Sequence, residues 1–162
     1  MRFIKALFLL ISSSLGFAQI TIPEVLNKLN KKTVPYITVS ELKENQNVIL
    51  LDAREFKEYH VSHLQNAVPV GFNTFDIKKT ETALPDKNAI IVVYCSIGVR
   101  SEKIGEKLLK SGYKKVYNLY GGIFEWKNND GKTINSNNVL TDSVHTYNKT
   151  WSVYLKKGIK VY

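Results

Sequence analysis

Short apolar segments rich in β-branched residues alternate along this sequence with amphipathic segments. Residues 48–52 and 89–94 are apolar on both faces, which is typical of central strands in a parallel sheet. Such an alternation predicts an α/β fold with an open parallel sheet of about five strands, flanked by helices on both faces. Strands are predicted at residues 36–39, 48–52, 67–70, 89–94 and 115–119, and helices at residues 22–29, 41–44, 55–60, 101–110 and 123–127.

The first 18 residues are predicted to be a cleaved secretory signal. A positive start with Arg2 and Lys5 precedes a short apolar run, and small residues at Gly16 and Ala18 fit a cleavage site. The alternative is a membrane anchor, but the apolar run is shorter than the roughly 20 residues that a span requires. We therefore expect an exported protein without a membrane span, periplasmic in a Gram-negative bacterium or secreted.

The remaining chain is predicted to form one domain with two appended segments. Residues 19–35 form a helical segment, and residues 36–127 contain the predicted sheet. Residues 128–162 are an Asn-rich loop followed by an aromatic extension, which we expect to pack on the domain. Within the extension, residues 151–155 alternate in polarity and predict a strand, with a second strand after a turn at residues 156–158.

The single cysteine of the chain, Cys95, follows directly after the strand predicted at residues 89–94. A short loop with Gly98 at its centre comes next, and a helical pattern follows the loop. Ligands of open α/β sheets bind at this edge, and helix N-termini favour the thiolate form of cysteine. The pattern predicts a nucleophilic thiol in an anion-binding loop, and the alternative is a buried, inert thiol.

Three blocks of the sequence stand out, and they occur in order along the predicted domain. They are Leu51-Asp52-Ala53-Arg54-Glu55-Phe56-Lys57-Glu58-Tyr59 with His63-Leu64-Gln65-Asn66-Ala67, Cys95-Ser96-Ile97-Gly98-Val99-Arg100-Ser101, and Tyr120-Gly121-Gly122-Ile123-Phe124-Glu125-Trp126. Together these blocks resemble the rhodanese-like sulfurtransferases over about residues 36–126. The resemblance implies a rhodanese-like domain at residues 36–127, and with the predicted signal segment it leads us to expect an exported, single-domain sulfurtransferase. One departure is Ser62, where the family usually has glycine.

The resemblance implies ping-pong catalysis through a persulfide on Cys95, without a metal or organic cofactor. Gly98 permits the curled backbone, and Arg100 is expected to donate to loop carbonyls or to an anionic ligand. Six residues from Cys95 to Arg100 favour sulfur, because relatives with one more residue in the loop hold phosphate or arsenate. The expected substrate-binding residues are Ser96, Ile97, Gly98, Val99, Arg100 and Ser101.

Three further residues are expected to support the site. Asp52 belongs by resemblance to a network behind the loop, with a simple salt bridge or helix cap as the alternative. Arg54 either attracts the donor anion or pairs with Glu58 on the next helical turn. His63 receives a structural hydrogen-bonding role by resemblance, although His60 and His63 have a spacing that can suit a metal.

The expected partners are a small anionic sulfur donor such as thiosulfate and a thiophilic acceptor, either cyanide or a thiol, including a protein thiol. Nucleic acid is not expected, because no basic helix with interleaved aromatic residues is present. Cleavage of the signal would lower the formal net charge from +9 to +7, which is compatible with a solvated basic face. The alternatives are a non-catalytic binding module and a phosphatase or arsenate reductase.

Overall fold

The structure is a computed structural model that describes residues 20–45 and 47–162. The predicted signal segment at residues 1–18 lies outside the described residues. Across the two described ranges, no helix has the length and apolar character needed to cross a membrane.

The helices are α1 (Ile22–Leu29), α2 (Val39–Glu44), α3 (Phe56–Val61), α4 (Ile77–Ala83), α5 (Val99–Lys110), α6 (Gly122–Asn128) and α7 (Lys149–Ser152). The strands are β1 (Tyr36–Ile37), β2 (Ile49–Asp52), β3 (Val68–Pro69), β4 (Ile90–Tyr94), β5 (Lys115–Leu119), β6 (Thr133–Ile134), β7 (Leu140–Thr141), β8 (Ser143–His145) and β9 (Ile159–Val161).

The main sheet has five strands in the order β1-β5-β4-β2-β3, and every neighbouring pair is parallel. The predicted open parallel sheet is therefore confirmed. After β2 the chain adds β3 on one side, whereas after β4 it adds β5 on the other side. The connections thus change direction between β2 and β4, and ligands of such sheets bind at the carboxyl ends of the strands that flank this point.

Each face of the sheet is covered by helices, as predicted. On one face, Leu26 of α1, Leu42 of α2 and Phe124 of α6 pack with Val92 of β4. On the other face, Ile104 and Leu108 of α5 pack with a second set of sheet residues that includes Leu51, Ile91 and Val93. Because successive strand residues point to opposite faces, a strand that feeds two cores must be apolar throughout, as β4 is.

Helix caps explain where the predicted boundaries were wrong. The strand predicted at residues 36–39 ends at Ile37, because Thr38 caps α2 and its hydroxyl accepts the Glu41 N–H at 3.2 Å. Helix α2 therefore begins at Val39, two residues before its predicted start at residue 41. Helix α4 was not predicted, although Asp76 caps it by accepting two backbone N–H groups.

The predicted strand at residues 151–155 is wrong. Asn148 accepts the Trp151 N–H at 3.1 Å and starts the short helix α7, so the local cap prevails over the alternating pattern. The strand that follows the turn at residues 156–158 is β9, and it pairs in parallel with β8. Val144 and Leu155 of this segment are buried in the same apolar cluster as Val92, so the extension packs against the sheet domain.

Candidate active site

The thiol of Cys95 lies at the carboxyl end of β4, next to the first turn of α5. Gly98 forms the N-cap of α5 with φ +110°, a left-handed conformation that a residue with a Cβ adopts only with strain. This turn directs the Gly98 N–H to the Cys95 Sγ at 3.1 Å, and the Ser101 hydroxyl lies 3.5 Å from the same sulfur. The short segment from Cys95 to Ser101 therefore surrounds one sulfur atom with donors.

Contacts from distant parts of the chain hold the loop in this shape. The Cys95 carbonyl accepts the Ile123 N–H at 2.9 Å, and a Cβ on Gly122 would collide with that carbonyl oxygen. On the other side, the amide groups of Asn118 and Asn30 both donate to the Gly98 carbonyl, at 2.8 and 2.9 Å. The backbone around the thiol is thus fixed before any ligand arrives.

A partly buried ion pair lies beside the loop. The Arg100 guanidinium donates two hydrogen bonds to the Glu58 carboxylate, at 2.7 and 2.8 Å, and a third to the Ser96 hydroxyl at 3.0 Å. Burial raises the pKa of Glu58, but the bonds and charge of Arg100 lower it by more, so this carboxyl stays ionised. Arg100 thus donates to a carboxylate and to a loop hydroxyl instead of the expected loop carbonyls, and its expected contact with an anionic ligand stays a prediction.

The surroundings of Cys95 favour the thiolate. Burial raises the pKa of the thiol, but the charge of Arg100 and the hydrogen bonds from Ser101 and Gly98 lower it by more. The net pKa lies below the ordinary cysteine value. Because the thiolate is the nucleophilic form of cysteine, this environment favours the reactive form of Cys95.

The thiol borders a cavity of about 250 Å³. Its walls come from the loop itself, from the end of α1 and from the C-terminal extension. The only charged side chain among the described residues that line it is Arg100. The complete lining is Leu29, Cys95, Ser96, Ile97, Val99, Arg100, Tyr147 and Trp151.

The chain that carries this cysteine loop at the edge of a parallel sheet matches a known family. The Rhodanese-like domain model matches residues 38–129. This chain belongs to the rhodanese-like domain family. The expectation that the resemblance raised is therefore confirmed at the level of the family and the fold.

Relatives of this rhodanese-like chain include tRNA uridine(34) hydroxylases. That of Photorhabdus laumondii is 36% identical over 91 residues, which cover 54% of this chain and 26% of that protein. The corresponding protein of Yersinia pestis is 34% identical over the same length and also matched over 26% of its length. The shared segment is thus about a quarter of these curated relatives.

Solved structures of rhodanese-like proteins share the fold. A rhodanese-like domain protein from Staphylococcus aureus has a TM-score of 0.51 at 31% identity, with 57% of this chain and 91% of that chain covered. A thiosulfate sulfurtransferase from Pseudomonas aeruginosa has a TM-score of 0.56 at 22% identity, with 63% of this chain and 20% of that chain covered. The second similarity supports the fold alone.

The predicted supporting residues Asp52 and Arg54 form a fully buried salt bridge at 2.6 Å. Asp52 also accepts the Arg54 backbone N–H at 2.9 Å, and Arg54 donates to the Ser62 carbonyl at 2.6 Å. Because Arg54 has no exposed surface, it cannot attract a donor anion from solvent, which corrects that expectation. Glu58, the alternative partner of Arg54, pairs with Arg100 instead.

His63 lies near the buried Asp52–Arg54 pair and does not line the cavity. Its Nδ1 lies 3.0 Å from the Tyr59 carbonyl oxygen, its ring stacks on Tyr59, and its backbone pairs with Ile134. Burial lowers the pKa of His63 and favours the neutral imidazole. The described ranges contain no group of three or more His, Cys, Asp or Glu side chains that could hold a metal ion.

Several residues that shape the site were not among the predicted site residues. Asn118 is fully buried in β5, where its carbonyl oxygen lies 2.7 Å from the Ser101 Oγ and competes with the Cys95 Sγ for the single Ser101 hydroxyl proton. A polar residue in an otherwise apolar strand is the signal that could have identified it. Glu58 carried no comparable signal, because it reads as an ordinary first-turn helix residue. Tyr147 and Trp151 were assigned only to the extension.

Replacement of Ser101 by alanine is expected to shift the reactivity of Cys95 to higher pH. The thiolate reacts, so reactivity falls as the pH drops through the pKa of Cys95, and loss of the Ser101 hydroxyl raises that pKa. We expect alkylation by iodoacetamide near pH 7 to slow roughly three- to tenfold and to recover at alkaline pH. The measurement is the alkylation rate against pH, which is unambiguous because the chain has one cysteine. Superimposable profiles of Ser101→Ala and wild type would contradict this role, and Ser40→Ala, on an exposed surface, is the control.

Proposed function

We propose that this chain transfers sulfane sulfur from a donor to a thiophilic acceptor through a persulfide on Cys95. The observation that carries the proposal is the thiol itself, which faces a cavity and receives hydrogen-bond donors from Gly98 and Ser101. These donors and Arg100 favour a negatively charged sulfur at this point. The same environment suits both the thiolate and the anionic persulfide that replaces it.

The proposed reaction has two half-reactions. The Cys95 thiolate forms a bond to the outer sulfur of the donor. The bond between this sulfur and the rest of the donor breaks, and its electron pair leaves with the rest of the donor. With thiosulfate, sulfite would leave. An acceptor thiolate or cyanide then attacks the outer sulfur of the Cys95 persulfide and regenerates the thiolate. Within this chain a dithiol mechanism is excluded, because there is no second cysteine.

Intact mass measurement tests the first half-reaction. Incubation with thiosulfate or with an organic persulfide is expected to add one sulfur atom to the protein, and prior alkylation of Cys95 should prevent the addition. The proposal fails if the mass does not change with any sulfane-sulfur donor, or if the alkylated protein still gains sulfur. Phosphate release from an aryl phosphate in the same samples would support the phosphatase alternative, which the six-residue loop disfavours.

The second half-reaction tests the acceptor class. We propose a small thiol, a protein thiol or cyanide as the acceptor, in the periplasm or outside the cell, and no nucleic acid. Protein loaded with radioactive sulfur is expected to transfer it to cyanide and to thiols but not to tRNA. The curated relatives are named for an action on tRNA, and only 26% of their length is shared here. Transfer of the label to tRNA would overturn the proposed acceptor class.

A further inference from the structure

The C-terminal extension supplies two aromatic side chains to the cavity at Cys95. Tyr147 and Trp151 lie beyond residues 38–129, the part that the Rhodanese-like domain model matches. They face a lining that is otherwise apolar except for Cys95, Ser96 and Arg100. This chain therefore adds its own wall to the site of the family domain.

This wall is held in place by specific contacts. Residues of β8 and β9 pair in register, and the next residue, Thr146, donates its N–H to the Val161 carbonyl at 2.8 Å. Tyr147 has φ +67°, an uncommon backbone conformation for a bulky residue, and its N–H donates to the His145 Nδ1 at 3.0 Å. Trp151 is placed by the Asn148 cap of α7. Hydrogen bonds thus hold the backbone that carries both rings beside the cavity.

The same wall lies against Arg100, the only cation among the described residues that line the cavity. The Arg100 guanidinium already donates two bonds to the Glu58 carboxylate, and its central carbon lies 5.4 Å from the centre of the Tyr147 ring. The single charge of Arg100 thus faces both the Glu58 carboxylate and the Cys95 thiolate. A dianion such as thiosulfate would therefore enter a largely apolar cavity in which the one cation among the described lining residues already faces two negative groups.

We propose that the sulfur donor of this chain is an organic sulfane-sulfur compound with an apolar group next to the sulfur, and that Tyr147 and Trp151 select it. This inference rests on the proposed function and names its substrate class. In the reaction, the Cys95 thiolate bonds to the outer sulfur of the organic persulfide R–S–S⁻. The donor S–S bond breaks, and its electron pair leaves with the thiolate R–S⁻, so that no oxidant or reductant is consumed.

A matched series of donors tests the selection. Thiosulfate, methanethiosulfonate and benzenethiosulfonate all deliver an outer sulfur, and the last two differ only in the apolar group. Each enzymatic kcat/KM is divided by the rate of the same donor with free cyanide, which removes differences in intrinsic reactivity. For the wild type we expect this normalised kcat/KM to be about tenfold higher with benzenethiosulfonate than with methanethiosulfonate, and lowest with thiosulfate.

Substitutions of Tyr147 and Trp151 test whether these side chains select the donor. In Tyr147→Ala and in Trp151→Ala, the ratio of the normalised kcat/KM values for the two thiosulfonates is expected to fall towards one. Tyr147→Phe keeps the ring and should preserve this ratio. Tyr162→Ala is the matched control, because it removes an exposed aromatic side chain of the extension outside the cavity. Thermal melts and the alkylation rate of Cys95 show that each variant is folded.

The outcomes separate this inference from the proposed function. A Cys95 persulfide that forms equally well from both thiosulfonates, or a ratio that survives both alanine substitutions, overturns the selection by the wall. A preference for thiosulfate over both thiosulfonates overturns it as well. If neither this series nor an organic persulfide adds sulfur to Cys95, the proposed function itself fails.

Discussion

Replacement of Cys95 by serine is expected to lower sulfur transfer by on the order of 10⁴-fold or more. A serine oxygen remains protonated at neutral pH and forms no persulfide, so the first half-reaction has no nucleophile. The chain contains no other cysteine that could take over this step. The measurement is the steady-state rate with the best donor and cyanide, compared with the rate in the absence of protein.

The loop geometry should survive this substitution, which makes Cys95→Ser a clean test. Serine is similar in shape, and its oxygen can accept the Gly98 N–H that the sulfur now accepts. We therefore expect the melting temperature to change little. A Cys95→Ser protein that is folded and still transfers sulfur above background would exclude Cys95 as the nucleophile.

Replacement of Asp52 by alanine is expected to lower the free energy of unfolding by about 3–5 kcal/mol. Both members of the Asp52–Arg54 pair are fully buried, so the substitution leaves an uncompensated guanidinium inside the protein. The Arg54 backbone N–H and the side-chain Nε also lose their acceptor. Denaturant unfolding monitored by tryptophan fluorescence measures the loss.

Two comparisons make the Asp52 prediction specific. The double substitution Asp52→Leu with Arg54→Met removes both charges and is expected to recover part of the stability. Asp130→Ala breaks the solvent-exposed pair with Lys157 and should change stability little. An Asp52→Ala protein as stable as the wild type would show that Arg54 finds another partner or reaches water.

The folded fraction of Asp52→Ala should still react at Cys95. Asp52 and Arg54 do not line the cavity, and no hydrogen bond joins their side chains to the Cys95–Ser101 segment in the described structure. Their contribution is therefore to the stability of the domain beneath the loop. This separates them from Arg100, whose charge acts directly on the thiol.

Much of the fold was predictable because its determinants are local. The apolar runs that became β2 and β4 could only lie inside a sheet covered on both faces. The amphipathic pattern of α5 required a helix against that sheet. Predictions failed where a single side chain decided the outcome, as when the Thr38 and Asn148 caps started helices that extend into the predicted strands.

The remaining site residues could not be predicted because they meet the loop from elsewhere in the chain. Glu58 lies 42 residues before Arg100, and its helix gave no sign of which cation it would meet. Asn118 reaches Gly98 only because β5 lies beside β4. Tyr147 reaches the cavity through the pairing of β8 with β9.

By itself the sequence determined the parallel sheet, the position of Cys95 at its ligand-binding edge and the turn at Gly98. These follow from residues that are neighbours along the chain, whose periodicity and backbone preferences act locally. Only the tertiary structure decided how charge and shape are distributed around the thiol. The pairing of Arg100 with Glu58 and the aromatic wall of Tyr147 and Trp151 arise from contacts over long sequence separations, which local preferences do not specify.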